Sequence, residues 1–302
     1  MITLIFGAGA SYGSGRTIPY NPPLGNYLFD NLVSLNRAFA ALPQDIKNVF
    51  IERGFEEGMA YIANDSRKIN PLQKEIACYL SKFKITPENA YARLFNKLRR
   101  YMSEINIVTL NYDTLIEQAL GLTGYPSDYN CSGQGVNVLK PHGSSNFLPR
   151  IPNGCSFSGN TMIGCGTFFE GLQTDAVSTH EEVVSWCGDP RNSDLSPVLS
   201  LYEKGKRVVI NSALINKVKE DYKGVVSTSD LIVLVGIKYI EHDSHIWQPL
   251  EESHADLLVV DPYPQDTNEW LKRTKKDSAE VICNGFEDSV LSIARTVKRY
   301  VI

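Results

Sequence analysis

The stretch that decides the fold is Ile2-Thr3-Leu4-Ile5-Phe6, followed directly by Gly7-Ala8-Gly9-Ala10-Ser11. An almost continuous apolar run of this length predicts a strand buried on both faces, as in a parallel sheet. Gly7 and Gly9 allow the backbone to approach a phosphate closely, and the amides of the helix start that follows can bind an anion. The stretch therefore predicts an α/β fold with a phosphate-binding turn; a tight turn without a ligand is the alternative.

Further apolar runs along the chain have the same character and end in glycine, asparagine or aspartate-proline turns. These predicted strands are Ile105–Leu110, Leu231–Val235, Leu257–Val260 and Val281–Cys283, with Arg207–Ile210 as a candidate sixth. Such a set predicts a Rossmann-like parallel sheet with helices on both faces. Its ligand site is expected at the carboxyl ends of the strands.

Two long intervals interrupt this pattern within a single predicted domain, residues 1–302. About 98 residues separate the first two strands, far more than one crossover needs, so we expect a helical insertion at about residues 31–104. A Gly-, Ser-, Asn- and Pro-rich interval at about residues 123–197 predicts a small loop-rich module or lid. Helix starts are predicted near Pro43 and at Thr86-Pro87-Glu88. Further predicted helices are Thr114–Leu120, Ala213–Tyr222, Thr267–Lys276 and Glu287–Tyr300.

Composition excludes several classes of protein. A net charge of −4, without a dense Lys/Arg stripe, predicts no direct nucleic-acid binding. The absence of 18 consecutive apolar residues predicts no membrane span, and Met1–Phe6 lacks the basic start of a signal peptide. Six cysteines form no C-x-x-C pair, so we expect no structural zinc site and no disulfide framework. Reduced thiols favour a cytoplasmic location in a bacterium or archaeon.

A second polar motif, Thr109-Leu110-Asn111-Tyr112-Asp113, ends the strand Ile105–Leu110. This position places polar groups at the mouth of the sheet. The Asn111 carboxamide can donate and accept, so it can hold a ribose hydroxyl or a water molecule. Asp113 is expected to cap the helix that follows, which leaves a ligand-binding role for Asn111 open.

A third motif is Lys140-Pro141-His142-Gly143-Ser144-Ser145-Asn146. A histidine on such a polar turn is structural unless a partner group supports catalysis, and the first two motifs supply candidates. Gly236-Ile237-Lys238 and Asp261-Pro262-Tyr263 follow two later strands, where contacts to adenosine or ribose are expected. The remaining histidines lack a spacing typical of metal ligands, so surface or capping roles and no bound metal are expected. They are His180, His242, His245 and His254.

A dehydrogenase is disfavoured by the spacing of the glycine turn. Gly13 falls one place late for the G-x-G-x-x-G dinucleotide fingerprint. The region about 20 positions further on reads Pro22-Pro23-Leu24-Gly25, without an acidic residue at the end of a second strand.

In their order along the chain, these motifs together resemble the sirtuin-like family. The resemblance covers roughly residues 1–30, 105–147 and 229–265. It implies a Rossmann-like domain that binds NAD, with Gly7, Ala8, Gly9, Ala10 and Ser11 along the pyrophosphate. It further implies Asn111 and Asp113 on the nicotinamide ribose side and His142 as the catalytic base. Gly236 and Ile237 would lie beside the phosphates or the adenine ribose, and Asp261 near the adenosine.

Three sequence differences from the protein-deacylating sirtuins indicate which members of the family the chain resembles more. Those enzymes carry two C-x-x-C zinc pairs, a glutamine where this chain has Leu110, and a Pro-Asp-Phe-Arg run where it has Pro19-Tyr20-Asn21-Pro22. The chain looks more like the bacterial sirtuin-like NAD hydrolases of anti-phage defence. That resemblance implies a homo-oligomer or a complex with a separate defence partner, such as a ring-forming ATPase.

The resulting hypothesis is an NAD glycohydrolase that releases ADP-ribose and nicotinamide. Asn111 would orient the water or the ribose hydroxyls, and His142 would accept a proton, because the ordinary histidine pKa lies near the operating pH. Two alternatives stay open: an NAD-dependent protein deacylase, and a non-catalytic sensor that binds NAD or ADP-ribose.

Overall fold

The computed structural model describes residues 1–159, 168–200, 210–241 and 243–301. Strands alternate with helices along much of this part of the chain, which is the pattern of an α/β protein. The strands are β1 (Ile2–Phe6), β2 (Thr17–Ile18), β3 (Lys84–Ile85), β4 (Ile105–Thr109), β5 (Ser127–Asp128), β6 (Val136–Leu139), β7 (Phe147–Pro149), β8 (Thr174–Ala176), β9 (Leu231–Val235), β10 (Asp256–Val260) and β11 (Glu280–Ile282).

The helices are short to medium in length. None within the described part is long and apolar enough to cross a lipid bilayer. They are α1 (Ala8–Tyr12), α2 (Gly25–Val33), α3 (Gln44–Arg53), α4 (Phe55–Ile62), α5 (Ser66–Ser81), α6 (Ala90–Leu98), α7 (Leu115–Thr123), α8 (His180–Gly188), α9 (Ser212–Ser227), α10 (Ser244–Glu252), α11 (Gln265–Arg273) and α12 (Phe286–Tyr300).

Within the described residues, one seven-stranded parallel sheet organises the fold, in the order β11-β10-β9-β1-β4-β6-β5. From β1 the chain proceeds to β4 and β6 on one side, and later returns to β9 on the other side of β1. The strand order therefore reverses between β1 and β9, and ligands bind at such a switch point in open α/β sheets. Two small antiparallel pairs, β2 with β3 and β7 with β8, lie outside this sheet.

Alternate side chains of each central strand pack into separate cores on the two faces of the sheet, as the period of a strand requires. Leu4 and Phe6 belong to the core that includes residues of α6, α7 and α12. Ile5 belongs to the core that includes residues of α9, α10 and α11. Helices thus cover both faces, which confirms the predicted Rossmann-like α/β fold and explains why the central strands are apolar throughout.

The predicted strands of this sheet are confirmed to within one residue at each end. Of the candidate strand Arg207–Ile210, residues 207–209 lie outside the described residues, and Ile210 forms an isolated bridge with Phe169. The predicted helix start at Thr86-Pro87-Glu88 is wrong. α6 begins after Asn89, whose side chain accepts from the Tyr91 amide at 3.0 Å.

Candidate functional site

The polar motifs predicted from the sequence follow adjacent strands of the sheet. In the order β10, β9, β1, β4 and β6, the strands are followed by motifs that contain Asp261, Gly236, Gly7, Asn111 and His142. Phe6, the last residue of β1, is in register with Thr109 and Val235, so the chain leaves these strands at one level. The structure therefore brings the motifs together along one carboxyl edge.

Backbone packing between the ends of β1 and β9 explains the glycines of the first turn. The Gly7 amide donates to the Val235 carbonyl and the Gly9 amide to the Gly236 carbonyl, both at 3.0 Å. A Cβ at Gly7 would lie 2.6 Å from the Gly236 oxygen, and a Cβ at Gly236 would lie 2.2 Å from the Ala10 nitrogen. These contacts require glycine whether or not a ligand binds.

This packing leaves a smaller part of the turn for a phosphate than the sequence predicts. The amides of Gly7, Gly9 and Ala10 are engaged by backbone carbonyls. Ala10 and Ser11 are buried, whereas Ala8 is exposed and Gly9 is partly exposed. Ala8 and Gly9 are therefore the positions at which the turn can meet a ligand.

Asn111 is fixed against this turn by its own amide group. The Nδ2 atom donates to the Gly7 carbonyl and to the Ser11 hydroxyl, both at 2.9 Å. A carbonyl oxygen accepts and does not donate, so the Gly7 contact fixes which end of the carboxamide is nitrogen. Both Nδ2 hydrogens are used internally, and Oδ1 is the atom of the side chain left to accept from a water or a ribose hydroxyl.

Asp113 lies beneath Asn111 in a buried polar network. One carboxyl oxygen accepts from the Leu115 amide at 3.2 Å, so Asp113 ties down the start of α7 as expected from the sequence. Burial raises the pKa of Asp113, and the nearby Lys140 charge opposes this effect. The nearby Ser11 hydroxyl also favours the charged form of this carboxyl group and so acts to lower its pKa. This placement holds Ser11, and through it Asn111, in position.

Lys140 joins the Asn111 motif to the His142 motif. Its fully buried ammonium group donates to the Asp113 carbonyl at 2.7 Å and to the Glu117 carboxylate at 2.9 Å. A buried lysine needs such partners, because an unpaired charge would cost several kcal/mol in a low-dielectric interior. The loop that carries His142 is therefore anchored to the end of β4.

The backbone around His142 is held by a second segment of the chain. The Ser200 amide donates to the His142 carbonyl at 2.9 Å, and Gly143 pairs with Leu199 as an isolated bridge. Gly143 has φ +81°, and a Cβ there would lie 2.0 Å from the Val198 oxygen. The turn after His142 therefore requires glycine and is packed tightly against residues 198–200.

The His142 side chain contacts two residues at the start of α10, Asp243 and His245, which the sequence did not connect with it. Its Nε2 atom lies 3.0 Å from Nε2 of His245 and 3.9 Å from Oδ2 of Asp243. His142 and Asp243 are buried and His245 is partly buried. The expected surface or capping role of His245 is wrong. The Asp243-x-His245 pattern shortly after a buried strand could have indicated a polar site. The contact with His142 could not be predicted, because His142 and His245 are 103 residues apart in the sequence.

The other histidines lie elsewhere. His180 begins α8, and its Nδ1 atom lies 2.8 Å from the Ser81 hydroxyl. His254 is exposed, and His242 lies outside the described residues.

The remaining predicted contacts lie at the ends of β9 and β10. The Ile237 side chain is buried in the core with Trp247 and Trp270, so a ligand can meet its backbone but not its side chain. Asp261 is partly buried, accepts from the Tyr263 amide at 2.7 Å, and has its pKa raised by burial. It is the acidic group of the predicted set that remains accessible beside β10.

Fold and site together define a doubly wound α/β protein with polar residues gathered at its topological switch point. No family model and no curated protein matches the chain. Among solved structures, it is similar to a mutant Sir2 homologue in complex with ADP-ribose, at 16% identity and a TM-score of 0.46, over 99% of this chain and 92% of that one.

Two further similar structures are a Sir2 homologue in complex with NAD, and Sir2 with an inhibitor, 2′-O-acetyl-ADP-ribose and a deacetylated peptide. Each has 14% identity and a TM-score of 0.45. The alignments cover 100% and 99% of this chain, and 90% and 94% of the other chains. Similarities this distant carry no functional argument, so function is argued from the site.

Proposed function

We propose that this protein is a sirtuin-like NAD hydrolase, which cleaves the nicotinamide–ribose bond of NAD to give ADP-ribose and nicotinamide. The observation that carries the proposal is the orientation of Asn111. Its amide is bound by Gly7 and Ser11, and Oδ1 is left as an acceptor at the carboxyl edge. An immobilised acceptor beside a glycine turn suits the task of orienting a water or a ribose hydroxyl without reorganisation during the reaction.

The chemistry requires little else of the protein. Cleavage passes through an oxocarbenium-like ribose, as in other glycosyl transfers. Nicotinamide leaves as a neutral molecule, so the enzyme needs no strong acid to protonate it. Water adds to the ribose carbon, and its proton passes to His142, which follows the strand next to that of Asn111. The proton leaves to solvent when the histidine is regenerated.

Binding energy from the rest of NAD supports this step. The pyrophosphate would lie at Ala8 and Gly9, the exposed part of the first turn, and the adenosine near Gly236 and Asp261. Contacts remote from the reacting bond can hold the nicotinamide ribose in a strained geometry. In this arrangement Ser11 and Asp113 act as positioning residues for Asn111.

The biological role proposed for this activity is depletion of NAD as an anti-phage defence effector, in the cytoplasm. It is supported by the resemblance of the ordered motifs to bacterial sirtuin-like NAD hydrolases. The same resemblance supports a homo-oligomer, or a complex with a partner such as a ring-forming ATPase, as the form in which the protein acts. Loss of NAD during phage infection of cells that express the protein is the measurement for this role.

Nicotinamide release from NAD tests the proposed reaction. Purified protein is incubated with NAD, with and without an acyl-lysine peptide, and nicotinamide and reduced cofactor are both followed. We expect release without peptide and no reduced cofactor. His142→Ala should slow release by about 10²–10⁴-fold, the usual effect of losing a general base. Asn111→Ala should reduce release to a similar degree.

His254→Ala is the matched control, because His254 is exposed and lies outside the site. Circular dichroism and thermal melts establish that each variant is folded. Release that requires the peptide would identify a deacylase instead. Full activity in both site variants would refute the assignment of Asn111 and His142, and tight NAD binding without release in the protein from infected cells would identify a sensor.

A further inference from the structure

Three potential metal ligands converge where the loop after β6 meets the start of α10. Nε2 of His142 lies 3.0 Å from Nε2 of His245 and 3.9 Å from Oδ2 of Asp243. All three ligand atoms lie within 4.8 Å of one another. Among the residues that the structure describes, no other group of three or more His, Cys, Asp or Glu side chains comes this close.

The spacing of these atoms suits a tetrahedral cation. Zinc binds histidine nitrogen and carboxylate oxygen at about 2.0–2.2 Å, which places neighbouring ligand atoms about 3.3 Å apart in a tetrahedron. The separations of 3.0 and 3.9 Å from Nε2 of His142 lie on either side of that value, so a cation could be bound after a local rearrangement of the three side chains. Two imidazoles and one carboxylate match the ligand preference of zinc-class ions, whereas magnesium prefers six oxygen ligands.

The surroundings hold the three ligands in place. His142 is fixed through its backbone by Ser200, and α10 is fixed by a hydrogen bond of 2.8 Å from the Tyr222 hydroxyl to the Ile246 carbonyl. His142 and Asp243 are buried, and His245 is partly exposed, so an ion can reach the site from the His245 side. Three protein ligands leave a fourth position open for water, as in zinc sites that exchange ligands.

The place of the cluster in the fold links it to the proposed reaction. His142 follows β6 and His245 follows β9, and the strands β4 and β1 lie between them in the sheet. The contact between the two side chains therefore spans the carboxyl ends of the strands that carry Asn111 and the glycine turn. A cation bound there would occupy the same Nε2 atom of His142 that accepts a proton.

We propose that His142, Asp243 and His245 bind one zinc-class divalent cation, and that this ion reversibly inhibits the NAD hydrolysis proposed above. The inhibitory part rests on the proposed function; the binding site does not. Bound metal withdraws His142 from proton transfer, and its removal restores the base. A hydrolase that destroys an essential cofactor requires such a restraint.

Cobalt titration tests the site without any assay of activity. Chelator-treated protein without an affinity tag is titrated with Co²⁺, and visible absorbance reports tetrahedral coordination; Zn²⁺ is then added as a competitor. We expect one Co²⁺ per chain, displaced by Zn²⁺, and a rise in melting temperature with either ion. His245→Ala and Asp243→Asn should each weaken binding by at least about 10-fold. His254→Ala should bind as the wild type does.

Two results would overturn the binding site: no ion bound more tightly by the wild type than by His245→Ala, or a sulfur-to-cobalt absorption band. The second would indicate ligation by cysteines such as Cys78 of α5 and Cys187 of α8, which influence each other's pKa. Because melting temperature is measured in each variant with and without metal, a variant that fails to fold is recognised and replaced by His245→Gln.

The inhibitory role is tested by nicotinamide release at increasing Zn²⁺. We expect release by the wild type to fall as the site fills and to return on addition of EDTA. Undiminished release by the metal-loaded protein would refute inhibition, while the proposed hydrolase would stand. If neither metal-free nor metal-loaded protein releases nicotinamide, the proposed function fails, and the cobalt titration still decides whether the site exists.

Discussion

Asn111 and His142 follow neighbouring strands, but the molecule holds the two side chains in different ways. The Asn111 side chain contacts the turn after β1, with Gly7 and Ser11 as its partners. The His142 ring instead contacts His245 at the start of α10, and its backbone contacts Ser200. One group is thus built into the sheet edge, whereas the other depends on segments that assemble around that edge.

This difference separates a part of the site that is fixed by the sheet edge from a part that depends on contacts between distant segments. The partners of Asn111 are backbone and a small buried hydroxyl, which have little freedom to move. The partners of the His142 ring are the side chains of His245 and Asp243, which come from a separate segment of the chain. In the proposed reaction, the residue that would orient the water and the residue that would accept the proton are therefore held by different parts of the same sheet edge.

The largest effect on stability is expected at Lys140, which joins the two regions. Lys140→Met leaves Glu117 without its buried partner and should cost about 3 kcal/mol of unfolding free energy, the lower end of the usual range because Glu117 retains some solvent contact. Urea denaturation measures it. Adding Glu117→Gln should recover part of the loss. Lys217→Met, in the exposed pair with Asp221, should cost less than about 0.5 kcal/mol.

Gly236→Ala is expected to disturb the turn after β1, against which the Asn111 side chain is held. Its φ of +60° disfavours alanine, and the added Cβ would meet the backbone of Gly9 and Ala10. We expect a loss of about 2–3 kcal/mol from steric clash and backbone strain together. Gly133→Ala is the control, since Gly133 has φ +78° and open space around it, so it should lose about 1 kcal/mol. Equal losses would contradict the packing account.

Ser11→Ala loosens Asn111 without removing it. The carboxamide loses one of its two partners, so we expect nicotinamide release per folded molecule to fall about 10-fold, equivalent to about 1.4 kcal/mol in the barrier. Ser14→Ala removes a buried hydroxyl of the same turn that does not contact Asn111. A comparable loss of activity in Ser14→Ala would show that the effect is general destabilisation and not the orientation of Asn111.

The smallest effect is a pH dependence at Asp113. Burial raises its pKa in the folded protein above 3.8, so its contribution to stability is present below that pH and is lost as the pH rises through the folded-state pKa. The stability of the wild type relative to Asp113→Asn should therefore decline as pH increases from about 4. Denaturation at several pH values measures this.

Asp175→Asn serves as the comparison variant, because the contribution of Asp175 to stability should change with pH in the opposite direction. The Arg150 guanidinium lowers the pKa of Asp175, so its contribution appears as pH rises above 3.8 and is lost as pH falls through the lowered value. Equal slopes in the two variants would argue against a buried, pKa-raised Asp113.

Much of the sheet could be predicted because its central strands are nearly continuous apolar runs. Ile2–Phe6 and Leu231–Val235 have the predicted bounds. β6 was missed because it is four residues long, contains Asn137, and lies in a glycine- and asparagine-rich interval. Local composition there resembles a loop, and only pairing with β4 makes the segment a strand. The predicted motifs nevertheless share one edge, because β6 orders the chain just before His142.

The site was less predictable where contacts join distant segments. The pairing of Asn111 with the first turn follows from adjacent parallel strands, so the sequence order suggested it. The contact of His142 with His245 depends on where α10 begins, and Pro249 within that helix obscured it. A local sequence pattern does not predict which side chains come into contact when two strands of the sheet lie between them. The residues that lie at the strand ends can thus be predicted from the sequence, but the contacts between residues of different loops cannot.

We expect NAD to bind across the sheet edge between Asn111 and His142. A crystal structure of His142→Ala with NAD, in which cleavage is slow, tests it most directly. We predict that the pyrophosphate lies beside Ala8 and Gly9, and that Oδ1 of Asn111 lies about 2.6–3.2 Å from a ribose hydroxyl or from a water molecule next to the reacting carbon. Nicotinamide ribose bound away from Asn111, or NAD bound at another edge of the sheet, would contradict it.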